Sequence, residues 1–411
     1  MKISTLTSLS VGLLLLNSAY ANTVNVDCIS GHELSVQLAS ATPNSTYEVS
    51  GTCFGPLTIS VNDITLVGNQ SGTKAILKKS DFIPFPQDVV TVDGATRVVL
   101  SGFEIQNGLS GVHAKANASV TIKNSEITDN IIGLTLVSAN THLEDVSIQG
   151  TAGSPAAVGI DMSASSLYID GTVDISGVRA FGISALSNSS IRLNQNSTLN
   201  THHNLLGGQV SLNSSFFADT GAQINAHDNF TIGFSINTGS SGMLFNANMT
   251  ARNNGLDGLD VVSASNFEVD GESQLIAEFN GREGVSIDNS TFNMFGFFSG
   301  VPGLPNVTAN NNTINGVHVE STSKFDVGRN ASVTALNNGN AGVLLDDGSS
   351  AIIQRADIND NNADFGNGNG AVKADMVATF GSRVTFLNDS NSVGLLSCDN
   401  TSMARGDVKC K

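Results

Sequence analysis

Tryptophan is missing from this 411-residue chain, tyrosine occurs three times, and only 13% of residues are charged. Flat side chains that stack on sugar rings are therefore scarce, which weakens any reading that needs an aromatic groove. Basic residues are few as well: 19 Lys and Arg stand against 36 Asp and Glu, a net charge of −17. With no basic stripe to neutralise phosphates, nucleic acid is excluded as a partner. An acidic polysaccharide is repelled too, unless a local basic patch or a cation bridges the two. Helix formers are thin, and no long stretch with a 3.6-residue apolar period follows Gly55.

Long apolar runs are also absent, so no membrane span is expected. Lys2, the short apolar run 11–16 and the triplet Ala19-Tyr20-Ala21 read as an export signal cleaved after Ala21. An N-terminal anchor competes with that reading, but a bilayer requires roughly 20 apolar residues. The ending Cys410-Lys411 is not an alternating strand with a terminal aromatic, which argues against an appended outer-membrane barrel. Removing residues 1–21 takes away one Lys and no acid, so the net charge moves to −18. The expected location is secreted, periplasmic or cell-surface.

The four cysteines form two close pairs near the ends, Cys28 with Cys53 and Cys398 with Cys410. In an exported chain such pairs read as two local disulfides. Metal binding is the alternative, but neither pair has CxxC spacing.

What the chain has in abundance is a repeat. A glycine followed by an apolar alternation recurs at Gly111, Gly133, Gly159, Gly182, Gly208, Gly233, Gly258, Gly284, Gly316, Gly342, Gly370 and Gly394. The eleven steps cover 283 residues, just under 26 each, and one step is 32. Two further alternating stretches follow in each period, as in Ser119-Val120-Thr121-Ile122 and Val333-Thr334-Ala335-Leu336-Asn337. Three short strands joined by Gly, Asn and Ser turns make one coil of a solenoid. Asn204, Asn229, Asn254, Asn280, Asn312 and Asn338 each stand four residues before the glycine. Asparagine amides in identical turns can bond their copies in the next coil. Sandwiches do not repeat a unit of this length a dozen times, and propeller blades need about 40 residues.

An open stack of strands must be covered at its ends. Ser30-Gly31-His32-Glu33 reads as a capping box, with Leu34, Leu38 and Ala41 on one face behind it. The expected organisation is a signal at 1–21 and a cap at 22–54 with a helix over 30–41. A solenoid at 55–397 and a disulfide loop at 398–411 complete it.

The exported N-terminus, the cap helix after Cys28, the Gly-Thr-Cys at 51–53 and the coil repeat resemble the secreted proteins of the pectin-lyase-like class. The resemblance covers nearly all of residues 28–397 and implies an all-β, right-handed parallel β-helix. It is specific for fold and weak for activity, because this fold hosts lyases, hydrolases, epimerases and non-catalytic proteins.

Strand register stacks the outward residues of neighbouring coils about 4.8 Å apart. Two after each glycine come His113, Thr135, Asp161, Ser184, Val210, Ser235, Asp260, Ser286, His318, Leu344, Lys373 and Leu396. Asp260, Ser286 and His318 thus fall on three consecutive coils. Beside them Asp288, Glu320 and Asp346 form an acidic column. Like charges so close raise one another's pKa or recruit a cation, so these three are candidate calcium ligands. Asp260, Asp288, His318, Glu320 and Asp346 are together the candidate catalytic residues, because paired carboxylates can cleave a glycosidic bond by acid/base chemistry. Arg282 and Glu283, in the turn just before, are placed to complete the site. The apolar, Gly- and Pro-hinged excursion at 295–305 accounts for the 32-residue coil. His113 with Lys115 and Asp161 is a second group, and His202-His203 is expected to point its rings apart.

The enzymatic motifs of the class are mostly missing. There is no Gly-His-Gly, no Asp-Pro-His and no Trp-containing lyase motif, and Asp346-Asp347 alternates to opposite faces. Two readings follow. One is a non-catalytic extracellular β-helix that binds or structures a polysaccharide or a cell-surface component. The other is a divergent polysaccharide lyase or glycoside hydrolase acting through the acidic face.

Overall fold

The computed structural model describes residues 22–410 apart from 69–71, 81–84, 151–155, 296–303, 329, 362, 366–371, 388–391 and 407–408. The expected signal, the centre of the long excursion and Gly370 therefore lie outside the described residues. The chain is an all-β parallel β-helix. Fourteen first strands, from Leu57–Ile59 to Leu396–Cys398, pair in parallel and in chain order to form one sheet. Second and third strands build a 26-stranded sheet that covers the other two faces. One coil runs through Leu259–Val262, Asn266–Asp270 and Gln274–Glu278 before Val285–Asp288 starts the next.

Alternation decides which residues face in. Leu259, Val261, Val285, Ile287, Val317 and Val319 are fully buried, and the residues between them face outward. On the second strand Phe267, Phe292 and Phe325 stack ring on ring, with centroids 5.5 and 5.6 Å apart. Burying each such ring stabilises the stack by about 1.5–3 kcal/mol. Truncating Phe292 would cost about 3–5 kcal/mol through the cavity it leaves.

Two buried polar ladders hold the turns. Asn254 donates its backbone N–H and its Nδ2 to Asn280 Oδ1 at 3.1 and 3.0 Å, while Nδ2 also reaches the Ala226 carbonyl at 3.0 Å. Backbone bonds of the same kind link Asn204 through Asn338 and continue to Asn361, and Asn130 fills the same place near the start of the stack, accepting from the Gly108 N–H at 2.7 Å. The residue before each ladder asparagine is left-handed: Asp129, His203, Asp228, Asn253, Phe279, Asn311, Asn337 and Asp360 all have φ between 54° and 59°. A second ladder was not evident in the sequence. Backbone N–H groups of Ser189, Ser214, Ser240, Ser265, Ser290 and Ser323 each donate to the serine Oγ one coil on.

Three register expectations need correction. Gly207, not Gly208, stands in the glycine column, since Gly207 bonds Ile232 and Gly208 pairs with Phe234. A Cβ on Gly208 would lie 2.3 Å from the Phe234 ring, so the inward site stays empty to admit that ring. Gln209 therefore replaces Val210 in the outward row. Near the C-terminus Asp375 takes the glycine position, and the outward residues are Val377 and Ser397. Lys373 belongs instead to an antiparallel pair, Ala363–Phe365 with Val372–Ala374, and Leu396 is buried.

Both disulfides, Cys28–Cys53 and Cys398–Cys410, are formed. The cap helix is shorter than expected, Glu33–Ala39, with Leu34 and Leu38 buried. Its box is one-sided. Glu33 Oε1 accepts from the Ser30 N–H and Oγ at 2.8 and 2.6 Å, while His32, the N-cap residue, makes no side-chain capping bond. Parallel pairing begins before Gly55, with Asn22–Cys28 against residues 45–51.

Candidate functional site

The site occupies the outward face of the fourteen-stranded sheet. Asp260 pairs in register with Ser286, Ser286 with His318 and His318 with Leu344, as expected. Asp288 sits opposite Glu320 on adjacent coils. Asp346 does not join them as a free carboxylate. Its Oδ1 accepts from Thr379 Oγ1 at 2.8 Å and from the Asp347 N–H at 2.9 Å, which ties it into its own turn. Among the described residues no three His, Cys, Asp or Glu side chains gather as a metal-holding group, so Asp288, Glu320 and Asp346 do not come together as one.

The residues flanking the row are buried acids. Asp257 and Glu283 each precede a coil glycine and are almost fully buried. They build a ladder of their own: the Glu283 N–H donates to Asp257 Oδ1 at 3.0 Å, and the Asn315 N–H to Glu283 Oε2 at 2.8 Å. Asn315 Oδ1 then accepts from the Ala341 N–H at 3.1 Å. This repeats the asparagine device with carboxylates, at the cost of burying charge. Burial pushes both acids up, opposed by those N–H bonds and by Arg282 and His318. The Arg282 Nε lies 3.5 Å from Asp257 Oδ1, and its outer nitrogen 4.0 Å from Glu283 Oε1.

Asp260 is the most perturbed group of the row. Burial, then the nearby Asp257 charge, pushes its carboxyl up to about 7, against the Ser286 hydroxyl and Arg282. Such a group exchanges a proton near neutrality, which is what general acid or base work requires. The His318 side chain is 13% exposed, but both its ring nitrogens are shielded and have no hydrogen-bond partner. Its nearest carboxylate oxygens are Glu283 Oε1 at 3.7 Å and Glu320 Oε2 at 4.0 Å. A shielded imidazole left unbonded costs about 1–3 kcal/mol, so the row holds unspent polar capacity.

The secondary groups resolve differently. His113 Nδ1 lies 2.8 Å from Asp88 Oδ2, a partner that sequence spacing did not offer. Asp161 stands two coils away across Thr135, raised by its burial. The rings of His202 and His203 do not point apart. Their Nδ1 atoms are 2.8 Å apart, and His202 stacks flat on His227 with centroids 5.0 Å apart. On the second strand, outward His142 stacks on Tyr168 at 4.5 Å, and Arg192 covers the Phe217 ring.

No protein-family model matches the chain, and no curated protein does. Among solved structures it is similar to the A-module of mannuronan C-5 epimerase AlgE4 of Azotobacter vinelandii. That match has 13% identity and a TM-score of 0.41, covering 92% of this chain and 98% of that one. The AlgE6 A-module of the same organism matches at 12% identity and a TM-score of 0.39, covering 92% and 94%. An exopolygalacturonase from Thermotoga maritima matches at 11% identity and a TM-score of 0.31, covering 95% and 94%.

Proposed function

We propose that this chain is an extracellular β-helix that binds carbohydrate on the outward face of its fourteen-stranded sheet, through Asp260, Ser286 and His318. The observation that carries the reading is the partly buried His318 ring, with both nitrogens shielded and unbonded, beside the Ser286 hydroxyl and the Glu283 carboxyl. A polyhydroxylated ligand supplies the donors and acceptors these groups lack. Solenoid proteins present extended faces to extended ligands, and sugar chains are such ligands.

A second reading has its own support. Asp260 titrates near neutrality and lies in one cluster with Arg282 and the buried acids, the pattern expected of acid/base cleavage of a polysaccharide. One experiment separates the two. The purified protein is run with a panel of neutral and uronate-containing polysaccharides, with and without calcium, and both retention and product release are followed. Retention without turnover, lost in His318→Ala and Asp260→Asn, supports binding. Product release that vanishes in Asp260→Asn replaces the binding reading with catalysis. Retention that survives both substitutions removes the row from either role.

A further inference from the structure

Neighbouring side chains of a strand point to opposite faces, so His202 and His203 should diverge. They converge because His203 is the first residue past the strand Thr198–His202 and is left-handed, with φ 55°. The turn swings its ring back over the outward face, where the two Nδ1 atoms lie 2.8 Å apart. The same device recurs one coil on, where His227 Nδ1 lies 2.7 Å from Oδ2 of left-handed Asp228. His202 lies flat on His227, its register partner, with centroids 5.0 Å apart. At its far nitrogen, His202 Nε2 is 3.2 Å from Asp174 Oδ1. Solvent reaches the pair: the His202 side chain is 24% exposed, and His203 is exposed in its turn. Three of the seven histidines of the chain thus meet on a different sheet from Asp260.

A carboxylate only accepts, so the His202 nitrogen facing Asp174 carries the proton of the neutral ring, and its Nδ1 presents a lone pair. That is the outer-shell arrangement of a metal-ligating imidazole, with a carboxylate on one nitrogen and the ion on the other. Two nitrogens bound at about 2.0–2.1 Å and at a right angle on one ion stand about 2.9 Å apart, whereas a tetrahedral angle spreads them to about 3.3 Å. The observed 2.8 Å matches the right-angled bite. Such nitrogen sites suit Cu2+ and Ni2+, and Cu2+ binds the more tightly. We propose that His202 and His203 form a two-imidazole chelate for Cu2+, with Asp174 as its positioning residue and water in the remaining places. Rotating the exposed His203 ring about its Cβ–Cγ bond turns the two nitrogens from bonding each other to sharing one ion. Its Nδ1 then gives up its proton while Nε2 takes one from solvent, so the ring stays neutral. The chelate uses two protein ligands, in keeping with the lack of any three-ligand group among the described residues. Charge favours the ion. The Asp228 carboxyl is held below its usual range by the His227 hydrogen bond, with His203 among the lesser causes, in a chain of net −17. Calcium, which takes oxygen ligands, is not bound here. The site goes beyond the carbohydrate reading and does not depend on it.

The test titrates the purified full chain, carrying no histidine tag, with Cu2+ by calorimetry and reads the loaded protein by electron paramagnetic resonance. One equivalent should bind, with an axial Cu2+ spectrum and pulsed-resonance modulation from the remote nitrogens of two imidazoles. His203→Asn installs the residue that recurs in its left-handed column at Asn253, Asn311 and Asn337, so the metal-free melting temperature should hold. Its affinity should fall roughly tenfold or more and its modulation drop to that of one imidazole, and His202→Gln should behave alike. Asp174→Ala should keep the two-imidazole signature and the fold while binding weakens roughly tenfold, the usual cost of losing an outer-shell carboxylate. His142→Gln, away from the cluster, should change nothing. Full affinity in both His202→Gln and His203→Asn overturns the site, as does a wild-type spectrum without two imidazole nitrogens. A loss confined to His227→Gln places the ion elsewhere and overturns it too, and the absence of saturable binding leaves the two rings bonded only to each other.

Discussion

Two histidines occupy one outward column of the same sheet and live in opposite circumstances. His113 is closed: its Nδ1 meets Asp88 at 2.8 Å, and the Ser110 N–H meets the other Asp88 oxygen at 3.2 Å. Burial works to raise Asp88, but the hydrogen bonds from His113 and Ser110 overcome it and hold the carboxyl below its usual range. His318 is open. Its carboxylate neighbours stop at 3.7 and 4.0 Å, and Asp260 and Glu283 are pushed up rather than down. Residue type and strand position are identical in the two places. What differs is whether an off-strand partner arrives to complete the bond.

The largest test of this contrast is pH. Asp260 holds a proton in the folded chain that the unfolded chain loses near its ordinary 3.8, because its folded value is about 7. Its contribution to stability is therefore fully present at low pH and is lost as pH rises through that window. Three units correspond to a few kcal/mol on the order-of-magnitude scale of about 1.4 kcal/mol per unit. Asp88, with its lowered value, works the other way: its contribution is present at neutral pH and is lost in acid. Urea midpoints at pH 4.5 and pH 8 should show Asp260→Asn gaining most over wild type at pH 8 and little at pH 4.5. A difference between the two proteins that does not change with pH would mean that Asp260 is solvated like any surface acid.

The architecture was legible because a solenoid writes the same constraint at every coil. Inward positions must be apolar and the turn needs its asparagine, so both recur at readable offsets. The reading slipped where two residues compete for one role. At Gly207-Gly208 only the packing of Phe234 decides which glycine lies in the column. In the last coils Asp375 replaces the glycine after the antiparallel pair, and no local pattern announces it. The row Asp260, Ser286 and His318 followed from counting along strands. Glu283 was read as a turn residue able to complete the site, and Asp257 was missed. A carboxylate just before a coil glycine looks like surface until its backbone bonds are known. Asp88 lies two residues before its strand, Val90–Asp93, where no period points to it.

A smaller effect comes from breaking the closed pair. Asp88→Ala removes the partner of His113 and the acceptor for Ser110, leaving partly buried donors unsatisfied. The expected cost is about 1–3 kcal/mol, read as a lower urea midpoint at pH 7. A neutral result would show that His113 gains as much from water as from Asp88.

The smallest effect, and the sharpest in sign, belongs to His318→Leu. The substitution places leucine beside Leu344, its register partner one coil on. It removes an imidazole whose two shielded nitrogens are unbonded, and an apolar group of similar shape in such a place is nearly neutral or stabilising. The expected change is therefore within about 1 kcal/mol, on the stabilising side. His113→Leu should instead destabilise, because it strands Asp88 with only the serine contacts. Melting curves of the two variants at pH 7 decide the matter. Opposite signs mean that the fold spends His113 on its own stability and holds His318 in reserve, whereas equal losses would place both histidines in the structural class and leave the row without its reason to exist.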